Sequence, residues 1–160
     1  MKKVNLKDVP ESERKSPKRK FEAYSKEVSV ALGRVDGATD LNLRHPFDLT
    51  VARLPAGAAR CPYHAHSAQW ELYLIISGRG KVRDAGGWTE VGPGDAFVFK
   101  PMEAHQIVAA ADTELVYQVI ADNPVREWCQ YPDSGKFIFR EEPKNTVVRV
   151  QGVDYFEGEE

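Results

Sequence analysis

Between Phe47 and Leu54 the chain alternates with period two, with Phe47, Leu49, Val51 and Arg53 on one face and Asp48, Thr50, Ala52 and Leu54 on the other. This periodicity predicts a strand. Turn residues then recur at short intervals: Pro55-Ala56-Gly57, Ser77-Gly78, Asp84-Ala85-Gly86-Gly87, Gly92-Pro93-Gly94-Asp95 and Ala111-Asp112-Thr113. The segments between them, Leu72–Ile76, Lys81–Arg83, Trp88–Val91, Ala96–Phe99, His105–Ala109 and Glu114–Ile120, are short and rich in β-branched or aromatic residues. Short strands at such spacing predict an all-β sandwich or barrel. The unbroken apolar run from Leu72 to Ile76 further predicts a strand buried on both faces.

The flanks read differently. Residues 1–20 are polar and contain Pro10 and Pro17, which predicts an arm with little structure of its own. Phe21, Tyr24, Val28 and Leu32 recur at helical spacing, so a short helix ended by Gly33 is expected there. Past Asn123, the turn Pro132-Asp133-Ser134-Gly135 precedes two candidate strands, Phe137-Ile138-Phe139 and Val147-Val148-Arg149-Val150. The expected division is an N-terminal arm over 1–40, a barrel over 41–121, and a C-terminal extension over 122–160 that packs on the barrel or on a partner subunit.

Composition adds boundaries rather than a function. A chain of 160 residues with 42% apolar and 29% charged residues matches a single ordinary globular domain. The net charge of −2 hides a basic first stretch, with eight Lys or Arg against three Asp or Glu in residues 1–20. That stretch lacks interleaved aromatics before Phe21, so no nucleic-acid partner is expected. The first residues form no signal-peptide pattern, and no apolar run approaches the ~20 residues that span a bilayer. A cytoplasmic protein with no membrane partner is expected, with Cys61 and Cys129 as free thiols.

The chemistry concentrates in three of the four histidines. In His64-Ala65-His66 the two imidazoles are two residues apart, so an extended backbone points them the same way and they can share one ion. Glu71 lies an odd number of residues after His66, and a bend over Ser67–Trp70 is required to return its carboxylate to that side. His105 lies beyond a separate hairpin, and closing a sheet into a barrel would bring its inward face to the same centre. Nitrogen and carboxylate donors suit Mn, Fe, Co, Ni, Cu or Zn better than Ca or Mg. Cys61, three residues before His64, would face away from it in a regular strand and reads as packing, while His45 before Pro46 reads as a surface or rim residue.

Gly57, His64, His66, Glu71 and Gly78 resemble the first cupin motif, and Gly94-Asp95 through Pro101 to His105 resembles the second. Together they cover residues 57–109, with fainter similarity over 45–120. Three departures stand out: one extra residue between Gly57 and His64, Met102 where the motif usually has glycine, and Ala109 where asparagine is common. The resemblance implies a double-stranded β-helix and one divalent transition metal (Fe, Mn, Ni or Zn) held by His64, His66, Glu71 and His105. It also implies a metal-dependent enzyme acting on a small polar molecule such as a sugar or sugar phosphate, an isomerase in kind. The alternatives are an iron-dependent dioxygenase of small organic substrates and a non-catalytic binding module. Tyr73, Phe97, Phe99 and Arg53 are the candidate pocket residues, Arg60 and Lys100 further candidates for holding a phosphate, and Gln69 and Trp70 for the barrel mouth. A small-molecule ligand and a homodimer are expected as partners.

Overall fold

The computed structural model describes residues 1–141 and 144–160. In chain order its strands are β1 (Glu11–Lys15), β2 (Glu22–Glu27), β3 (Phe47–Leu54), β4 (Ala65–His66), β5 (Glu71–Gly78), β6 (Gly80–Asp84), β7 (Gly87–Val91), β8 (Ala96–Phe99), β9 (Gln106–Ala109), β10 (Leu115–Asp122), β11 (Glu127–Tyr131), β12 (Lys136–Glu141) and β13 (Lys144–Arg149). Two one-turn helices, α1 (Val28–Ala31) and α2 (Leu41–Arg44), lie between β2 and β3.

One antiparallel sheet has the order β1-β2-β3-β10-β5-β8. Opposite it lie two smaller sheets, β7-β6-β9 and β13-β12-β11-β4. Single bridges join these two, Ala59 to Val108 and His64 to His105, so residues 58–66 stitch the second wall together. The alternation of β3 is realised with Thr50, Ala52 and Leu54 inside and Phe47 outside. Leu54, Ile75, Leu115 and Tyr117 from the large sheet are fully buried and meet Val82, Val91 and Ile107 from the facing wall. The sheets thus form a closed β-sandwich with the histidine cluster on its inner surface.

Glycine is required at the end of β5. Gly78 has φ +81°, and a Cβ there would lie 1.8 Å from the Glu114 carbonyl oxygen. The close approach accompanies the register shift between Val116 and Tyr117, where β10 bulges against β5.

Several expectations are corrected. The helix expected over Phe21–Leu32 is β2 followed by the single turn α1. Ala23 and Ser25 alternate inward and are buried, but their small or polar side chains hid the period from an apolar count. Residues 11–15, expected to lack structure, form β1 and pair with β2 along their length. Its fully exposed, charged sequence suits an edge strand that must not recruit another chain. Leu72–Ile76 is buried on one face only, because Tyr73 and Ile75 point inward while Leu72 and Ile76 remain about half exposed. The helix α2, capped by the Asp40 carboxylate accepting from the Asn42 amide, was not anticipated. The C-terminal segment, expected to pack on the barrel or a partner subunit, contributes β11, which pairs with β4 and places Cys129 opposite His66.

Candidate metal centre

Each of the four residues reaches the site from a different backbone context. His64 and His105 face each other across their bridge, each amide donating to the other's carbonyl at 3.1 and 2.8 Å. His66 lies on β4 and is held by β11. Glu71 opens β5 after the required bend. That bend is fixed by the Ser67 amide donating to the Trp128 carbonyl at 2.9 Å, and by Asp122, which accepts from the Trp70 amide at 2.8 Å and from the Gln69 side chain at 2.6 Å.

The donor atoms of His64, His66 and Glu71 lie within 4.8 Å of one another. Nε2 of His64 and Nε2 of His66 are 3.1 Å apart. Glu71 Oε2 is 3.5 Å from His66 Nε2 and 2.8 Å from His105 Nε2. His105 therefore joins through Glu71, and its ring centroid is 6.2 Å from that of His66. A cation bonded at about 2.1 Å holds neighbouring octahedral donors about 3.0 Å apart, close to the His64–His66 and His66–Glu71 separations of 3.1 and 3.5 Å.

The opposite ring nitrogens explain the orientation. His64 Nδ1 lies 3.0 Å from the Pro62 carbonyl, His105 Nδ1 3.1 Å from the Glu103 carbonyl, and His66 Nδ1 2.8 Å from Glu127 Oε1. Carbonyl and carboxylate oxygens only accept, so Nδ1 carries the proton in each neutral ring and each Nε2 keeps its lone pair for the centre. Two lone pairs 3.1 Å apart repel unless a proton or a cation lies between them. His64, His66 and Glu71 therefore form a group that could hold a metal ion, with His105 beside it through Glu71.

The electrostatics follow the same division. Burial pushes His64 below the ordinary histidine value. Burial acts on His66 in the same sense, but its contacts with Cys129 and Glu127 and the charge on Glu71 overcome it, giving about 9. Burial would raise the Glu71 carboxyl, yet the close contact with His105 and the positive charge on His66 hold it well below the usual carboxylate range. Tyr73, pushed well upward by burial and then by the Glu71 charge, keeps its proton and donates to Glu71 Oε2 at 2.9 Å.

Among the candidate pocket residues, three line this interior. Phe99 stacks on His105 at 4.1 Å, Tyr73 on Phe97 at 5.3 Å, and Tyr73 packs against Tyr117 at 5.6 Å. Arg53 does not: it lies on the outer face of β3, paired with Glu11 and Glu114 at 2.8 Å each and placed over the Tyr24 ring. Thr50, Ala52 and Leu54 take the buried face of β3, so the pleat turns Arg53 outward and excludes it from the pocket. Lys100 is exposed, whereas Arg60 lies within electrostatic reach of the Tyr73 and Tyr117 hydroxyls and 3.9 Å from Glu27. Cys61 does not face away, since its Sγ is 3.6 Å from His64 Nδ1. The stretch before His64 is irregular, so strand parity does not apply to it. Burial raises the Cys61 thiol to about 11, so it stays protonated. Trp70 remains exposed, and Gln69 is used by the bend.

Glu127 and Cys129 were not among the sequence candidates. Both are buried on β11, and they form a second cluster with His66. The available signal was the alternation of Glu127, Cys129 and Tyr131 against Trp128 and Gln130, which places a carboxylate on an inward face. Among the described residues, no helix is long and apolar enough to cross a membrane.

The fold and site define a β-sandwich with a histidine-carboxylate centre, and residues 50–121 match the family model described as a cupin domain. Residues 50–121 carry a cupin domain, and the chain has the double-stranded β-helix fold. A sugar phosphate isomerase of a cupin superfamily from Silicibacter pomeroyi superposes with a TM-score of 0.76 at 20% identity, covering 92% of both chains. A protein from Acidithiobacillus ferrooxidans, provisionally named a sugar phosphate isomerase, gives 0.77 at 20% identity over 93% of this chain and 92% of that one. A predicted oxalate decarboxylase from Thermotoga maritima gives 0.60 at 18% identity over 76% of this chain and 98% of that one. No curated protein matches the sequence.

Proposed function

We propose that the chain is a metal-dependent enzyme that isomerises a small polar molecule, a sugar or sugar phosphate, using one divalent transition metal held by His64, His66, Glu71 and His105. The observation that carries this reading is the close grouping of the His64 and His66 Nε2 atoms with the Glu71 carboxylate, His105 Nε2 beside that carboxylate, and every Nδ1 already engaged. Likeness over nearly the whole chain to two structures named as sugar phosphate isomerases supports the choice of reaction.

A bound divalent ion would supply Lewis-acid polarisation of a substrate carbonyl or hydroxyl. The protein's own residues do the rest. Tyr73 keeps its hydroxyl proton directed at Glu71 Oε2 and fixes that carboxylate. Phe97, Phe99 and Tyr73 make an apolar wall that keeps water from the centre. Arg60, partly exposed and 3.9 Å from Glu27, is a cation available to a phosphate.

The test is elemental analysis of protein purified without added metal, followed by turnover of aldose and ketose phosphates before and after chelation, and again on His64→Ala. Metal-dependent interconversion lost in His64→Ala is expected. A metal-loaded protein that interconverts none of them would overturn the isomerase reading. The aromatic wall favours one second reading, an iron-dependent dioxygenase, which predicts ferrous ion in the elemental analysis and oxygen uptake with catechol or thiol substrates.

A further inference from the structure

We propose that Glu127 is a positioning residue that aims His66 at the metal and balances the charge of the loaded site, an inference that rests on the metal-centre reading above. Its carboxylate comes from β11, beyond residues 50–121 that match the cupin domain. The side chain is 4% exposed, and Oε1 accepts from His66 Nδ1 at 2.8 Å and from the Cys129 thiol at 3.4 Å.

His66 needs such a partner because its local backbone provides none. His64 and His105 each turn Nδ1 to a carbonyl two residues earlier. The Nδ1 edge of His66 instead faces β11, where Cys129 is its register partner. An acceptor-only carboxylate there fixes the tautomer, leaves Nε2 directed at the centre, and raises the basicity of the ring as a ligand.

Charge gives a second reason. Three neutral imidazoles, one carboxylate and a dication sum to +1 in a buried site, and a second carboxylate coupled through His66 brings the sum to zero. A buried carboxylate is costly without compensation, and Glu127 Oε2 has no hydrogen-bond partner. Its only other cationic neighbour within salt-bridge distance among the described residues is the half-exposed Arg140, at 3.5 Å. A cation on the far side of the His66 ring therefore complements a charge that the fold has already buried.

The competing role makes His66, Glu127 and Cys129 the ligands of a second ion. That arrangement requires His66 to surrender its Nδ1 proton while Nε2 also binds metal, and the geometry favours a hydrogen bond instead. Titration of the metal-free full-length protein with Co2+, followed by calorimetry and by visible absorption, decides between the roles.

The wild type should take one equivalent. Glu127→Ala should bind about 10- to 100-fold more weakly with a shifted Co2+ absorption band. Glu127→Gln, which keeps an acceptor oxygen without the charge, should lose less and retain the wild-type melting temperature. If Glu127→Ala fails to fold, the Gln variant carries the test through its affinity and spectrum. Wild-type affinity and spectrum in the Glu127 variants, with binding lost in His66→Ala, would overturn the positioning role while the metal-centre reading stands. A wild type that takes up no Co2+ would overturn both. Two equivalents, the second lost in Cys129→Ala, would make Glu127 a ligand and overturn the proposal.

Discussion

His64 and His105 are aimed from within their own turns, whereas His66 is aimed from across the molecule. The first two give their Nδ1 protons to carbonyls two residues away, and the third gives its proton to a carboxylate 61 residues away. A backbone carbonyl survives substitution of its side chain, and a carboxylate does not. One site thus combines orientation fixed by chain geometry with orientation fixed by a single side chain. Only the second can be removed by a point mutation.

The largest effect tests whether the two kinds of ligand serve one centre. His64→Ala, His66→Ala and Glu71→Ala should each weaken Co2+ binding by more than about 100-fold, beyond the loss typical of an outer partner. Calorimetric titration of each variant checks it. Binding that persists in His64→Ala but fails in His66→Ala would split the cluster and break the comparison.

A smaller effect separates the two orienting modes. Glu103→Ala removes a side chain that accepts from the Lys100 amide at 2.9 Å, but leaves the carbonyl that holds His105. Its Co2+ affinity should stay within about threefold of wild type, far from the loss expected when an outer-sphere carboxylate is removed. An equal loss in Glu103→Ala and Glu127→Ala would erase the distinction between carbonyl and carboxylate.

This contrast also explains what the sequence made legible. His64-Ala65-His66, the odd step to Glu71 and the distant His105 could be read because strand parity and barrel closure are short-range or topological rules. The alternation of β11 could place the Glu127 carboxylate inward, but not its role, which depends on β11 pairing with β4 in a register that no local pattern specifies. The same limit applied at the N-terminus, where small or polar inward residues at Ala23 and Ser25 concealed a strand. Parity also failed at Cys61, since a rule for regular strands was applied to an irregular stretch.

Titration sharpens the comparison further. In metal-free protein His66 is raised to about 9 from its ordinary 6.5, while His64 is lowered. The His66 contribution to stability is therefore fully present below about pH 6.5 and lost as pH rises through about 9. The His64 contribution runs the other way, present above about pH 6.5 and lost as pH falls below it. Because the proton on His66 must leave when metal binds, Co2+ affinity should rise with pH until about 9, with about one proton released per ion near pH 7.5. Imidazole NMR titration and calorimetry in buffers of different ionisation enthalpy measure both. A His66 that titrates below 6.5 would contradict the coupling to Glu127.

The smallest effect concerns the backbone behind His66. Met102 occupies the left-handed region at φ 68°, and its amide donates to the His66 carbonyl at 2.7 Å. A side chain in that conformation costs about 1–2 kcal/mol, while glycine there adds about 0.5–1 kcal/mol of unfolded-state entropy. Met102 is about half exposed and buries little surface that glycine would forfeit. Met102→Gly should therefore stabilise the fold by about 0.5–1 kcal/mol, read as a higher urea midpoint. Its Co2+ affinity should not change, since the Met102 amide and the Glu127 carboxylate both remain in place. A variant that gained stability but lost affinity would show that His66 is aimed from its backbone after all, like the other two histidines.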